Sequence, residues 1–223
     1  MTPFGFNAGE TDPDRGSAFF TDFYDLSPFA ATNAALATGV CGVVATTTTA
    51  ATVLTTKKEF QVSNDVTASC AFRTKQDVLT ASDYMVGGFA SGTQAGLRGG
   101  ATASAVFSIG ADSAGATQIM CSSMDGTNAI TNTDVTTKLV TGFVATDYHT
   151  YGIELSVSGT GVGMTGQIHW YVDGKLVNSR SLAYATISAT DFEDLTIRFH
   201  FEDAALDVPI HTIDWASASG PRV

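Results

Sequence analysis

The stretch HTYGIELSVSGTGVGMTGQIHWYVDGKLVNSRSL, residues 149–182, decides the fold class. Apolar residues occupy every second position in residues 151–157 and again in residues 168–172. A period of two predicts β-strands that each bury one face. The Asp173-Gly174 pair follows the second run and predicts a hairpin with a type I′ turn, because that turn needs positive φ at both central residues.

Two neighbouring aromatic residues in this stretch are predicted to face opposite ways. Trp170 alternates with apolar residues and is predicted to lie in the core, which leaves Tyr171 on the other face of its strand. Tyr171 and Tyr184 are candidates for a platform on which a sugar ring stacks. Ordinary packing at the surface is the alternative for both residues.

The rest of the chain repeats this alternation and shows almost no helical periodicity. One buried face per strand predicts two antiparallel sheets packed face to face. We find no linker and no repeat of fixed period, so we predict one all-β sandwich over residues 31–223, preceded by an irregular N-terminal arm over residues 1–30. Further strands are predicted at 59–72, 84–89, 105–109, 118–122, 138–140, 195–202 and 210–215.

The N-terminal arm is rich in aromatic rings. Six of the fourteen phenylalanines lie in the first 29 residues, among Gly, Pro and Asp residues that break regular structure. A solvated tail would not carry so many rings, so we expect them to dock. They either cover this domain's own core, supplying its first strand, or grip a neighbouring subunit. The candidate docking residues are Phe4, Phe6, Phe19, Phe20, Phe23 and Tyr24.

Composition excludes several classes of function. The net charge of −11, from 22 acidic and 11 basic residues with no basic patch, disfavours nucleic acid as a partner. We expect no membrane partner, because the apolar stretch at residues 30–54 is interrupted by polar residues and glycines. The start of the chain does not resemble a signal peptide. Cys41, Cys70 and Cys121 are widely spaced and are predicted to be buried, reduced thiols.

The order of motifs resembles a known sandwich family. YHTYGIEL, IHWYVDGKLVNSRSL, LTIRFHF and IHTIDWA, in that order, resemble the concanavalin A-like (laminin G-like) jelly roll and, distantly, family sixteen glycoside hydrolases. The earlier segments, residues 39–75 and the stretch MDGTNAITNTDVTTKLV (124–140), resemble virion proteins of tailed phages. The resemblance implies a jelly-roll fold. It also implies a structural role in a phage particle.

A catalytic role is not predicted. Family sixteen enzymes are retaining glycosidases, which need two carboxylates about 5–5.5 Å apart. Alternate acidic residues on one strand would supply that pair, yet no Glu occurs between Phe60 and Thr150. The histidines fall on separate strands, although His169 and His200 both oppose the apolar stripe and could meet as a metal or acid–base pair. Surface histidines are the alternative.

We predict no cofactor. Calcium is the alternative, through the turns SMDGTN (123–128) and NTD (132–134), but neither matches a complete oxygen-ligand loop.

These observations favour a non-enzymatic structural virion protein of a tailed bacteriophage, one that decorates the capsid surface. The expected partners are the major capsid protein or other virion subunits, together with further copies of this chain. The expected location is the virion, after assembly in the host cytoplasm. The alternative is a carbohydrate-binding, lectin-like module or adhesin that recognises a surface glycan.

Overall fold

The computed structural model describes residues 17–21, 23, 26–32, 34–36, 43–45, 52–57, 67–76, 84–91, 103–111, 114–125, 131–158, 165–183, 195–202 and 211–220. These residues form fifteen β-strands and one turn of 3-10 helix at Thr136–Lys138. The strands are β1 (Ser17–Thr21), β2 (Phe29–Thr32), β3 (Ala34–Leu36), β4 (Val43–Ala45), β5 (Thr52–Thr56), β6 (Ala68–Gln76), β7 (Tyr84–Ala90), β8 (Ala103–Ala111), β9 (Thr117–Asp125), β10 (Thr131–Asp134), β11 (His149–Ser158), β12 (Thr165–Val172), β13 (Lys175–Ala183), β14 (Thr196–Glu202) and β15 (His211–Gly220). No helix among these residues is long and apolar enough to cross a membrane.

The strands form two antiparallel sheets. Sheet A has the order β13-β12-β11-β6-β15-β4-β3, and β1 also pairs with β15. Sheet B has the order β10-β9-β8-β7-β14-β5-β2. The two sheets pack face to face around one main cluster of buried apolar side chains. The predicted fold class, a two-sheet antiparallel β-sandwich of the jelly-roll type, is therefore confirmed.

Large aromatic side chains fill the space between the sheets. Phe72 of sheet A contacts Phe199 of sheet B edge to face, with 5.2 Å between ring centroids. Trp170 is 1% exposed, as its alternation predicts, and its indole Nε1 donates to the Val106 carbonyl oxygen at 3.2 Å. Because Val106 belongs to sheet B, this bond joins the two sheets and satisfies the buried indole N–H.

Gly88 in β7 marks a close approach between backbones. Its φ is +145°, and a Cβ built there would lie 2.5 Å from the Ala105 carbonyl oxygen and 2.6 Å from the Ile153 side chain. An L-residue rarely adopts this φ, and the space for a side chain is already filled. The position therefore requires glycine on both grounds.

The β12–β13 hairpin has the predicted turn. Asp173 has φ +50° and Gly174 has φ +78°, and Val172 pairs with Lys175 across the two-residue loop, which confirms the type I′ assignment. The Asp173 backbone N–H donates to the Thr150 carbonyl at 2.8 Å, and its carboxylate Oδ1 accepts from the Thr150 N–H at 2.9 Å. The turn is thus tied to the first residues of β11.

Strands β1 and β2, which lie before and across the predicted domain boundary at residue 30, both pair within the sandwich. Strand β1 pairs along β15, from Ser17 opposite Gly220 to Thr21 opposite Ala216, and β2 pairs with β5. Phe23 is 1% exposed, and its ring stacks on Phe29 at 5.4 Å. Two alternatives were predicted for this segment: packing on its own domain or gripping a neighbouring subunit. Strand β1 and Phe23 pack on their own domain.

The remaining docking candidates are only partly described. The backbone of Phe19 pairs with Ala218 and that of Phe20 with Ser217. Phe4, Phe6 and Tyr24 lie outside the described residues.

Several strand boundaries in the structure differ from the predicted ones. The predicted strand at 138–140 is wrong, because Lys138 ends the 3-10 helix and residues 139–140 belong to no strand. The Asp134 carboxylate accepts the Thr136 N–H at 2.9 Å and so favours a turn over an extended chain. Residues 59–66 of the strand predicted over 59–72 lie outside the described residues, and residues 68–72 of it belong to β6, which continues to Gln76. The last strand runs to Gly220.

Candidate functional site

The hairpin carries a group of side chains on the outer face of sheet A that we call the hairpin platform: Glu154, His169, Tyr171 and Leu176. Tyr171 pairs with Leu176 across β12 and β13, and Glu154 pairs with His169 across β11 and β12. Cross-strand partners share one face of a sheet, so the four side chains lie together, opposite the face that buries Trp170. Tyr171 lies on the face that the sequence predicted.

A hydrogen bond fixes the Tyr171 ring. Its hydroxyl donates to Glu154 Oε2 at 2.7 Å, and the His169 ring meets the Tyr171 ring edge to face with 6.4 Å between centroids. Partial burial, reinforced by the hydrogen bond and charge of Glu154, raises the pKa of Tyr171 to about 12. The phenol is therefore neutral in ordinary buffers and remains the donor of this bond.

The platform combines accessible apolar surface with polar groups. Leu176 is 50% exposed, and the side chains of Glu154 and His169 are each 36% exposed. Gln167 and Ser181 form an exposed polar border next to them, joined by a hydrogen bond of 3.2 Å from Gln167 Nε2 to the serine hydroxyl. A surface of this kind can stack against a ring-shaped ligand and bond to its hydroxyl groups.

His149 contacts the turn of the β12–β13 hairpin and the segment before β11. Its Nδ1 lies 2.7 Å from Asp173 Oδ2, its Nε2 lies 2.9 Å from the Val144 carbonyl oxygen, and its ring stacks on Phe143 at 4.0 Å. Lys175 Nζ donates to the Lys138 carbonyl at 2.8 Å. These contacts attach the segment before β11 to the turn between β12 and β13. They therefore stabilise the hairpin that carries the platform.

The outer face of sheet B differs because much of it is buried. Val86, Ala90 and Val106 form a second, smaller apolar cluster there. Arg198 is 5% exposed and His200 is 2% exposed, and burial lowers the pKa of the arginine. The interpretation of His200 as a surface residue is therefore wrong.

The predicted meeting of His169 and His200 is also wrong. His169 belongs to β12 of sheet A, and His200 belongs to β14 of sheet B. Both point away from the space between the sheets, so they lie on opposite outer faces of the sandwich.

No pair of carboxylates appears on the described central strands of sheet B. Side chains at alternate positions of β7, β8 and β9 face outward, and none of those that the structure describes is acidic. They are Tyr84, Val86, Gly88, Ala90, Ser104, Val106, Ser108, Gly110, Gln118, Met120 and Ser122. This part of the face lacks the two carboxylates that a retaining glycosidase requires.

The other reactive residues have structural surroundings. Cys70 and Cys121 are free and buried, and burial raises the pKa of both thiols, so the thiolate form is disfavoured. Burial would raise the pKa of Asp134, but hydrogen bonds from Thr136 and Gln118 hold it below its usual value. Among the residues with described positions, no three His, Cys, Asp or Glu side chains are grouped to hold a metal ion. Cys41, Tyr184 and most of the SMDGTN turn lie outside them.

Sequence reasoning missed two members of the platform, Glu154 and Leu176. The two-residue turn fixes the β12–β13 register and could have identified Leu176 as the partner of Tyr171. Glu154 carried no such signal, because a longer Gly-rich connection joins β11 to β12 and does not fix their register.

Comparison with known proteins gives similarity in structure only. No protein-family model and no curated protein sequence matches the chain. A Crh5 transglycosylase solved in complex with NAG superimposes with a TM-score of 0.57 at 14% identity, covering 92% of this chain and 86% of the other. The Emp47p carbohydrate recognition domain gives 0.57 at 11% identity, covering 87% and 89%. Peanut lectin gives 0.54 at 10% identity, covering 91% and 96%. The chain thus has a lectin-like jelly-roll fold, which both binding domains and enzymes share.

Proposed function

We propose that this protein is a carbohydrate-binding, lectin-like module without catalytic activity, and that the hairpin platform holds the sugar. The observation that carries the proposal is the platform itself. It places an aromatic ring of fixed orientation, an exposed leucine and a carboxylate on one accessible sheet face. The lectin-like fold adds support, since the similar structures include a lectin and a carbohydrate recognition domain.

The platform would bind a sugar through two kinds of contact. The C–H face of a sugar ring would pack on Tyr171 and Leu176, which removes apolar surface from water. A sugar hydroxyl would donate to Glu154, because a carboxylate offers about four acceptor positions and the Tyr171 hydroxyl uses one of them. Gln167 and Ser181 would bond to further hydroxyl groups at the border.

The test is a glycan array with the purified protein, followed by calorimetric titration of the glycans that bind. Complete burial of a large apolar side chain contributes about 1.5–3 kcal/mol, and stacking would cover only one face of the partly buried Tyr171 ring. Tyr171→Ala should therefore weaken binding by about three- to tenfold. Tyr171→Phe keeps the ring and should retain most of the affinity.

Val140→Ala is the matched control, because Val140 is an exposed apolar residue outside the platform. An array without any bound glycan, or a Tyr171→Ala variant of unchanged affinity, would refute the assignment of this site.

A structural role in a tailed-phage virion stays a second proposal, including its location in the particle and its contacts with the capsid protein and with further copies of the chain. The observation that favours it is the number of phenylalanines before residue 30, of which Phe4 and Phe6 lie outside the described residues. Mass spectrometry of purified particles would test it. A fixed copy number per particle together with an empty glycan array would favour this role over sugar binding.

A further inference from the structure

The hairpin platform has an acidic character that bears on the class of its ligand. Glu154 exposes 36% of its side chain, and its Oε2 accepts the Tyr171 hydroxyl at 2.7 Å. His169 Nδ1 lies 4.0 Å from the same oxygen, which is too far for a direct hydrogen bond. The carboxylate therefore keeps acceptor capacity at the hydroxyl end of the Tyr171 ring.

Basic side chains of the surrounding strands are bound to other groups. Arg73 Nη1 pairs with Asp214 at 2.7 Å, and Lys175 Nζ donates to the Lys138 carbonyl at 2.8 Å. Arg180 donates to Ser123 in sheet B, on the inner side of its strand. The whole protein has a net charge of −11. Asp214 neutralises the charge of Arg73, whereas Lys175 and Arg180 keep their charges but direct them at groups outside the platform. With the net charge of −11, an anionic ligand on the platform would meet a mainly negative field.

We propose that the hairpin platform prefers glycans that carry a free amino group, a deduction that rests on the proposed carbohydrate-binding function. An ammonium group placed at Glu154 would form a charge-assisted hydrogen bond, which is about twice as strong as a neutral one. The same cation would be attracted to the negative face of the Tyr171 ring. An N-acetylated sugar carries no positive charge and could donate only a neutral amide N–H to Glu154, and the carboxylate of a uronic acid would be repelled by Glu154. The expected order of affinity is amino sugar, then neutral sugar, then acidic sugar.

Four linear oligosaccharides of equal length test the order by calorimetry at mildly acidic pH. They consist of glucosamine, N-acetylglucosamine, glucose and glucuronic acid. The glucosamine oligomer should bind about tenfold more tightly than its N-acetylated counterpart, because only glucosamine brings a positive charge to the Glu154 carboxylate. Added salt should reduce that difference, since the platform is exposed to solvent.

Two variants with equal changes in net charge separate the site from general attraction of a polycation to an acidic protein. Glu154→Gln keeps an acceptor for the Tyr171 hydroxyl and should abolish the preference for glucosamine over N-acetylglucosamine. It should also weaken glucose binding to a smaller extent, because a sugar hydroxyl donates to the same side chain. Asp134→Asn removes one charge from the edge of sheet B and should preserve the preference.

The outcomes distinguish the two proposals. Equal or tighter binding of the neutral oligomers would overturn the amino-sugar preference and leave the carbohydrate-binding function standing. If both variants lost the preference equally, the protein's net charge would explain the preference for glucosamine. That result would also overturn the proposed role of the platform. The absence of binding to all four oligomers and to the glycan array would overturn both proposals.

Discussion

Gly88 is a residue at which the fold leaves no room for a side chain. Gly88→Ala would force an alanine to φ +145° and would bring its methyl group within 2.5 Å of the Ala105 carbonyl oxygen. Backbone strain and overpacking each cost about 1–3 kcal/mol, so the variant should lose about 2–6 kcal/mol of unfolding free energy. Chemical denaturation, followed by tryptophan fluorescence, measures the loss.

Gly115→Ala is the matched control for this substitution. Gly115 also has a positive φ, of +81°, but a Cβ there would meet nothing within 4 Å. It should therefore show the strain without the steric clash. Equal losses in the two variants would contradict the close backbone approach at Gly88.

The alternation of apolar and polar residues correctly predicted the direction in which individual side chains point. It predicted their burial less well. Trp170 and Tyr171 face the sides that the sequence indicates. Arg198 and His200 also point outward as their positions predict, yet both are buried. Alternation with a period of two indicates only on which face of the sheet a side chain lies. It contains no information about whether that face is open to water.

The β12–β13 hairpin is the element on which the proposed site depends. Gly174→Val would place a β-branched residue at φ +78° and should cost about 1–3 kcal/mol. Because the turn fixes the pairing of Tyr171 with Leu176, the variant should also lose sugar affinity. Thermal denaturation and glycan titration measure the two effects.

Gly174→Asn is the control for the hairpin, since asparagine tolerates a left-handed backbone. It should stay close to the parent in both measurements. If Gly174→Val were as stable as the parent and bound sugar equally well, the turn would not determine the site.

Elements formed by interactions between residues close in sequence were easier to predict than elements formed by distant residues. The hairpin was predictable because its turn type follows from two adjacent residues, Asp173 and Gly174. The assignment of Thr136–Lys138 failed because the Asp134 side chain decides the local conformation there. The pairing of β1 with β15 joins residues about two hundred positions apart, and no local pattern specifies such a partner.

At the scale of the whole molecule, the first described strand completes sheet A. Residues 17–23 contribute both the β1 pairing and the buried Phe23 ring. A chain that lacks residues 1–24 should therefore be less stable than one that lacks residues 1–16, by at least about 3 kcal/mol, the lower limit for removing one buried phenylalanine side chain. Circular-dichroism melts of the two truncated chains measure the difference.

The comparison of the two truncations isolates residues 17–24, because both chains lack everything before them. Equal melting temperatures would contradict the place of β1 and Phe23 in the sandwich. The shorter truncation also removes Phe4 and Phe6, so assays of its binding to virion subunits would test those two residues as docking candidates.

The antiparallel register of β1 and β15 brings Ser17 directly opposite Gly220. A polypeptide attached before β1 and another attached after β15 would therefore leave the sandwich side by side, at one corner of sheet A. Two fused reporter domains at these positions would be near neighbours in space. A short peptide that joined Gly220 to Ser17 would close the strands into a continuous loop without crossing either sheet, as circular permutation requires.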